Sequence, residues 1–71
     1  MKTFKEVLES YNFQWDSSTE LWVRKEGFGM KSTVDVMFKN LFIIFKGKTK
    51  VHDHFIESFD HFKEIMVNNF S

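Results

Sequence analysis

Cysteine, proline and alanine are all missing from this 71-residue chain, and Arg24 is its only arginine. Without cysteine there is no disulfide framework, no thiolate nucleophile and no cysteine-based zinc site. Without proline no helix or strand is interrupted by a missing N–H donor. Long apolar runs are lacking too, because the longest, Leu41 to Phe45, spans five residues and falls far short of a bilayer crossing. No apolar leader stretch follows the first lysines, so the sequence predicts a cytoplasmic protein with no membrane partner.

Net charge is also absent, with ten basic residues balancing ten acidic ones. Bulk charge therefore gives no argument for a nucleic-acid or membrane partner. The distribution is uneven, however. Between Met30 and His52 five lysines (31, 39, 46, 48 and 50) face one acid, Asp35; from Asp53 onward four acids (53, 57, 60 and 64) face Lys63 alone.

What the chain has in quantity is aromatic side chains, ten Phe and two Trp among them. A domain of this size buries a small share of its surface, and large rings fill a core that has few positions. Lys, Phe, Ile, Asn and Met are frequent, which reflects A/T-rich codons and associates the chain with bacteriophages and mobile elements.

The pattern predicts one α+β domain over residues 1–71, in the order αβββα. Thr3-Phe4-Lys5-Glu6 is a capping box, and Phe4, Val7, Leu8 and Tyr11 follow helical spacing. Phe13-Gln14-Trp15 alternates, and Asp16 to Thr19 reads as a turn. Leu21 to Arg24, Thr33 to Phe38 and Leu41 to Phe45 read as strands of a three-stranded antiparallel meander, with a short edge segment possible at Lys48 to Val51. A two-residue turn at Lys39-Asn40 would pair Phe38 with Leu41, Val36 with Ile43 and Val34 with Phe45, all toward the helices. Asp53 is the expected cap of a second helix carrying Phe55, Phe59, Phe62 and Met66.

Chemistry is sparse. Gly47-Lys48-Thr49 follows a strand like the end of a phosphate loop, but Phe42 occupies the place of the required first glycine. His54, Glu57 and His61 would share a helix face, yet their spacing matches no compact zinc motif. No nucleophile, base and orienting group are gathered. The expectation is therefore a protein that is not an enzyme and needs no cofactor or metal.

The αβββα order resembles that of double-stranded-RNA-binding domains and of the small HicA toxins. The former place a lysine-rich patch at the start of the last helix, where this chain has Asp53-His54-Phe55-Ile56-Glu57. The latter use a sheet histidine, and none lies between Trp22 and Phe45.

With Val34, Val36, Phe38, Leu41, Ile43 and Phe45 turned to the helices, Met37, Phe42 and Ile44 would face away, joined by Trp22. Such a patch marks an interface, or becomes core if one helix covers each face of the sheet; the one-sided helices favour the interface. The leading expectation is thus a small accessory or inhibitor of phage type that binds a host protein through Trp22, Met37, Phe42 and Ile44, with RNA assistance or as a homodimer. The alternative is an RNA-binding module in which Arg24, Lys46, Lys48 and Lys50 contact phosphates while Trp22 or Phe28 stacks on bases.

Overall fold

The computed structural model describes residues 3–38 and 40–70. Among these residues the chain forms α1 (Phe4–Ser10), β1 (Gln14–Asp16), β2 (Leu21–Gly27), β3 (Met30–Met37), β4 (Leu41–Lys46), β5 (Thr49–His52) and α2 (Phe59–Phe70). The fold is α+β, with a five-stranded antiparallel meander in place of the expected three strands. Strand order equals chain order, β1-β2-β3-β4-β5. The two additions are the edges, β1 and β5, both short.

Helix α1 starts as the sequence predicts. The Glu6 N–H donates to Thr3 Oγ1 at 3.2 Å, and the Thr3 N–H donates to Glu6 Oε1 at 3.2 Å, closing the capping box. Asn12, in the left-handed region at φ 70°, turns the chain into β1. Helix α2 starts six residues later than Asp53. Ser58 is its cap, with Oγ accepting from the His61 N–H at 3.1 Å. Residues 53–58 cross the end of the sheet instead, tied by Phe42 N–H to His54 O, Ile56 N–H to Asn40 O and a bridge between Leu41 and Phe55. Phe55 imitates one more turn of the apolar helical stripe but is not helical.

Both helices cover one face of the sheet. The core holds Val7 and Leu8 of α1, Phe13, Val34, Phe42, Ile44, Ile56, and Phe62, Met66 and Phe70 of α2. Three rings form its centre: Phe4, Phe42 and Phe62 lie 4.9–5.3 Å apart, centroid to centroid, and join α1, β4 and α2. Phe13 packs edge-on against Phe70 at 5.2 Å and closes the other end.

The β3–β4 register differs from the expected one by a single residue. Met37 pairs with Leu41, Val36 with Phe42 and Val34 with Ile44. The connection holds three residues, 38–40, with the Leu41 N–H on Phe38 O at 3.2 Å; of the two expected turn residues, Lys39 lies outside the described ones. A one-residue slip exchanges the faces of a whole strand. Phe42 and Ile44, expected to face a partner, are instead 1% and 0% exposed in the core, and Leu41, Ile43 and Phe45 face away from the helices. Strand β2 is reversed as well. Trp22 pairs with Val34 on the helix side, so Leu21 and Val23 turn outward. Phe38, expected toward the helices, sits in the turn and is exposed.

At the β1–β2 turn the Ser18 hydroxyl donates to Asp16 Oδ1 at 2.7 Å, and the Ser18 N–H does so at 3.0 Å. These bonds, the side-chain one first, hold the Asp16 carboxyl below its ordinary value. A carboxyl lowered in this way supports the fold above its ordinary value, and the support is lost as pH falls through the lowered one. Ser18→Ala is expected to move the Asp16 titration upward in an NMR pH series and to leave other carboxylates in place.

Candidate interaction surface

The face of the sheet opposite the helices has no covering layer among the described residues. Its side chains form rows across the strands. One row reads Gln14, Val23, Thr33, Phe45 and Lys50 from β1 to β5. The next pairs Asp16 with Leu21 and Asp35 with Ile43. Beyond it Met37 pairs with Leu41, and Leu41 meets Phe55. At the opposite end Lys25 stands directly across from Lys31.

The surface thus has two halves of different chemistry. Leu21, Ile43, Leu41, Met37 and Phe55 make an aliphatic end that surrounds Asp35; Leu21, Ile43 and Leu41 are half-buried by one another, while Met37 and Phe55 are exposed. Lys25, Lys31 and Lys50, with Phe45 between Thr33 and Lys50, make the basic end. Contiguous apolar side chains on an uncovered sheet are uncommon in a monomer, because water must order around them without compensation.

The interaction residues expected from the sequence are dispersed by this arrangement. Met37 alone of the four apolar anchors lies on the open face. Trp22 is half-buried on the helix side, edge-on to Trp15 at 5.7 Å. Arg24 is drawn inward: its Nε lies 3.1 Å from Glu26 Oε2, its Nη1 donates to the Tyr11 and Phe70 carbonyls at 3.4 Å, and its guanidinium covers the Phe70 ring at 5.4 Å. It braces both helix ends against the sheet. Lys46 and Lys48 are exposed around the β4–β5 turn, while Lys50 also reaches Asp53 Oδ2 at 3.3 Å.

The histidines do cluster, though not along a helix face. His52 lies 5.9 Å from both His54 and His61, ring centroid to ring centroid. Two of them serve the backbone, His52 Nε2 donating to His54 O at 2.9 Å and His61 Nδ1 accepting from the Glu57 N–H at 3.1 Å, while His54 Nε2 lies 3.2 Å from Asp53 Oδ1. Among the described residues no group of three His, Cys, Asp or Glu side chains could hold a metal ion. Among the described residues no helix is long and apolar enough to cross a membrane.

Leu41, Ile43 and Phe45 were expected toward the helices and Lys31 counted only as one of the sheet-region lysines, while Leu21, Val23 and Lys25 were given no place at an interface. One signal pointed to the observed facing of β4: Leu41 to Phe45 is apolar at every position, so either parity can be core. The fold and the open face define a two-layer α+β domain with one helix-free sheet surface. No family model matches the chain, and no curated protein or solved structure does either.

Proposed function

We propose that this chain is a non-catalytic binding protein that docks on a partner protein through the aliphatic end of its helix-free sheet face. It would act as an accessory or inhibitor by covering that partner. The observation that supports the reading is the patch of Leu21, Ile43, Leu41, Met37 and Phe55 on the open face, which no helix covers among the described residues. Sheet faces of this kind pack on a second apolar layer about 10 Å away. Asp35 adds a specificity requirement. Its half-buried carboxylate would lose solvent on docking, so the partner must bring a cation or hydrogen-bond donor to that point.

The test is Ile43→Asp in a tagged protein, used for capture from nuclease-treated lysate of the native cell and for sedimentation analysis alone. The wild type is expected to retain a partner protein that the variant loses, with both proteins equally helical by circular dichroism. Self-association lost in the variant would assign the face to a second copy. Capture unchanged by Ile43→Asp would remove this face from the interaction.

A further inference from the structure

Three features at the basic end lack a folding rationale. Lys25 and Lys31 stand directly opposed across β2 and β3, on the open face, and neither has an ion-pair partner among the described residues. Like charges in that position destabilise a hairpin. Beyond them Phe28 sits at the apex of the β2–β3 turn, fully exposed and in the left-handed region at φ 53°, a conformation that is a poor choice for a bulky residue. Gly27 and Gly29 flank it at φ 92° and 76°, leaving the apex backbone bare of side chains.

The end is also built to stay in place. The Gly47 N–H donates to Ser32 Oγ at 3.1 Å, Ser32 Oγ donates to Glu26 Oε2, and Arg24 Nε pairs with the same carboxylate. This relay, with Ser32 wholly buried, pins the β4–β5 turn to β3 and turns the nearby acid away from the open face. Met30 then bridges the two turns: a Cβ on Gly47 would stand 2.8 Å from Met30 Cε. Lys48, next to Gly47 in the β4–β5 turn, is thereby held at the same end as Lys25 and Lys31, and the pattern is several cations near the exposed Phe28 ring.

A groove of about 780 Å³ opens from Lys25 and Lys31 along the edge where β1 ends. Asn12 and Gln14 line its far side together with the acids Asp16 and Glu26, while the Trp15 ring turns to the helix side, edge-on to Trp22. We propose that this basic end binds single-stranded nucleic acid, with phosphates on Lys25, Lys31 and Lys48 and a base stacked on Phe28. Cations that track a backbone, and rings that offer a face to any base, are the two requirements for such binding. The amides of Asn12 and Gln14 supply both donors and acceptors for base edges. A lipid surface is the poorer fit, since a flat bilayer meets the apex and leaves the amide-lined groove empty. This site is separate from the aliphatic end, so either can fail without the other.

The experiment is fluorescence anisotropy of the full chain with labelled fifteen-nucleotide oligo-U and oligo-dT, at 50 and 200 mM salt. Micromolar binding that weakens with salt is expected for the wild type. Lys25→Gln/Lys31→Gln should weaken it about tenfold and flatten the log–log salt slope by roughly 1.4, at about 0.7 per lost phosphate contact. Phe28→Leu keeps an apolar apex but removes a stacking face, and should cost about fivefold or more. Ile43→Asp should bind as the wild type does. No binding at 50 mM salt, or binding indifferent to these lysines, overturns the proposal. So does co-sedimentation with vesicles of 70% phosphatidylcholine and 30% phosphatidylserine that Phe28→Leu retains while oligonucleotides fail to bind, which assigns the apex to lipid.

Discussion

Phe42→Asp is expected to leave the chain unfolded at 25 °C, although Ile43→Asp, one position along, folds normally. Phe42 is 1% exposed and touches the rings of Phe4 and Phe62 at 5.3 and 5.2 Å. Truncating such a ring alone removes about 3–5 kcal/mol. A carboxylate set among rings with no cation nearby adds several kcal/mol more, or the group takes up a proton. Domains of this length have roughly 4–10 kcal/mol of total stability, by the usual 0.05–0.15 kcal/mol per residue. The loss therefore equals or exceeds what is available. Ile43 points to the open face, where an added carboxylate stays hydrated. Far-UV circular dichroism and amide dispersion in a proton–nitrogen spectrum check both variants. Inverted outcomes, with Phe42→Asp folded and Ile43→Asp unfolded, would mean the β3–β4 register is the two-residue hairpin instead.

The second large effect is expected at Phe62. Its ring is the common neighbour of Phe4 and Phe42, and so ties α2 to both α1 and the sheet. Phe62→Ala leaves a void at the meeting of three elements, none of which can close it without moving the other two. About 3–5 kcal/mol at about 4–8 °C per kcal/mol lowers Tm by roughly 12–40 °C. Phe59, half-buried and meeting Phe4 at 5.4 Å from the helix edge, should give a distinctly smaller drop as Phe59→Ala. Scanning calorimetry of the pair separates them. Equal, small shifts would mean that α2 is held by its Phe70 end and not by its middle.

The sequence was most legible where one residue type has one use. Thr3 and Glu6 announced the first helix, and the structure shows both hydrogen bonds of the capping box. The strands at Leu21, Thr33 and Leu41 were also visible. The facing of β3 was legible too, since Val34 lies in the core as its alternation predicts, but that of β2 and β4 was not, because period-2 arguments need a polar alternative at each position. Leu41 to Phe45 offers none, and a register that placed Leu41, Ile43 and Phe45 inside accounted for the apolar residues as well as the real one does. Polar residues on β3 hold the missing information: Lys31, Thr33 and Asp35 share the open face with β4 residues Ile43 and Phe45. The site residues followed the same error. Phe42 and Ile44 were placed on the surface by parity, while Lys25 and Lys31 were not paired with each other because their opposition exists only once β2 and β3 are paired. Arg24 could not have been read as a brace, since its carbonyl partners, Tyr11 and Phe70, come from the two helix ends.

Strand order that equals chain order has a consequence for how the molecule is made. Every strand pairs with the next one along the chain, so each hairpin can zip as soon as its second strand exists, without waiting for distant segments. The helical layer behaves differently, because Phe70 must return to Phe13 and Arg24 before the core is sealed. During synthesis the meander can therefore form while α2 is still inside the ribosome. For that interval it is a sheet with two apolar faces and two bare edges, the species most prone to stick to its own kind. Lys48 and Lys50 on or beside the β5 edge are placed where charge discourages that pairing. Lysines at this end thus have a part in the nascent chain as well as in the finished one.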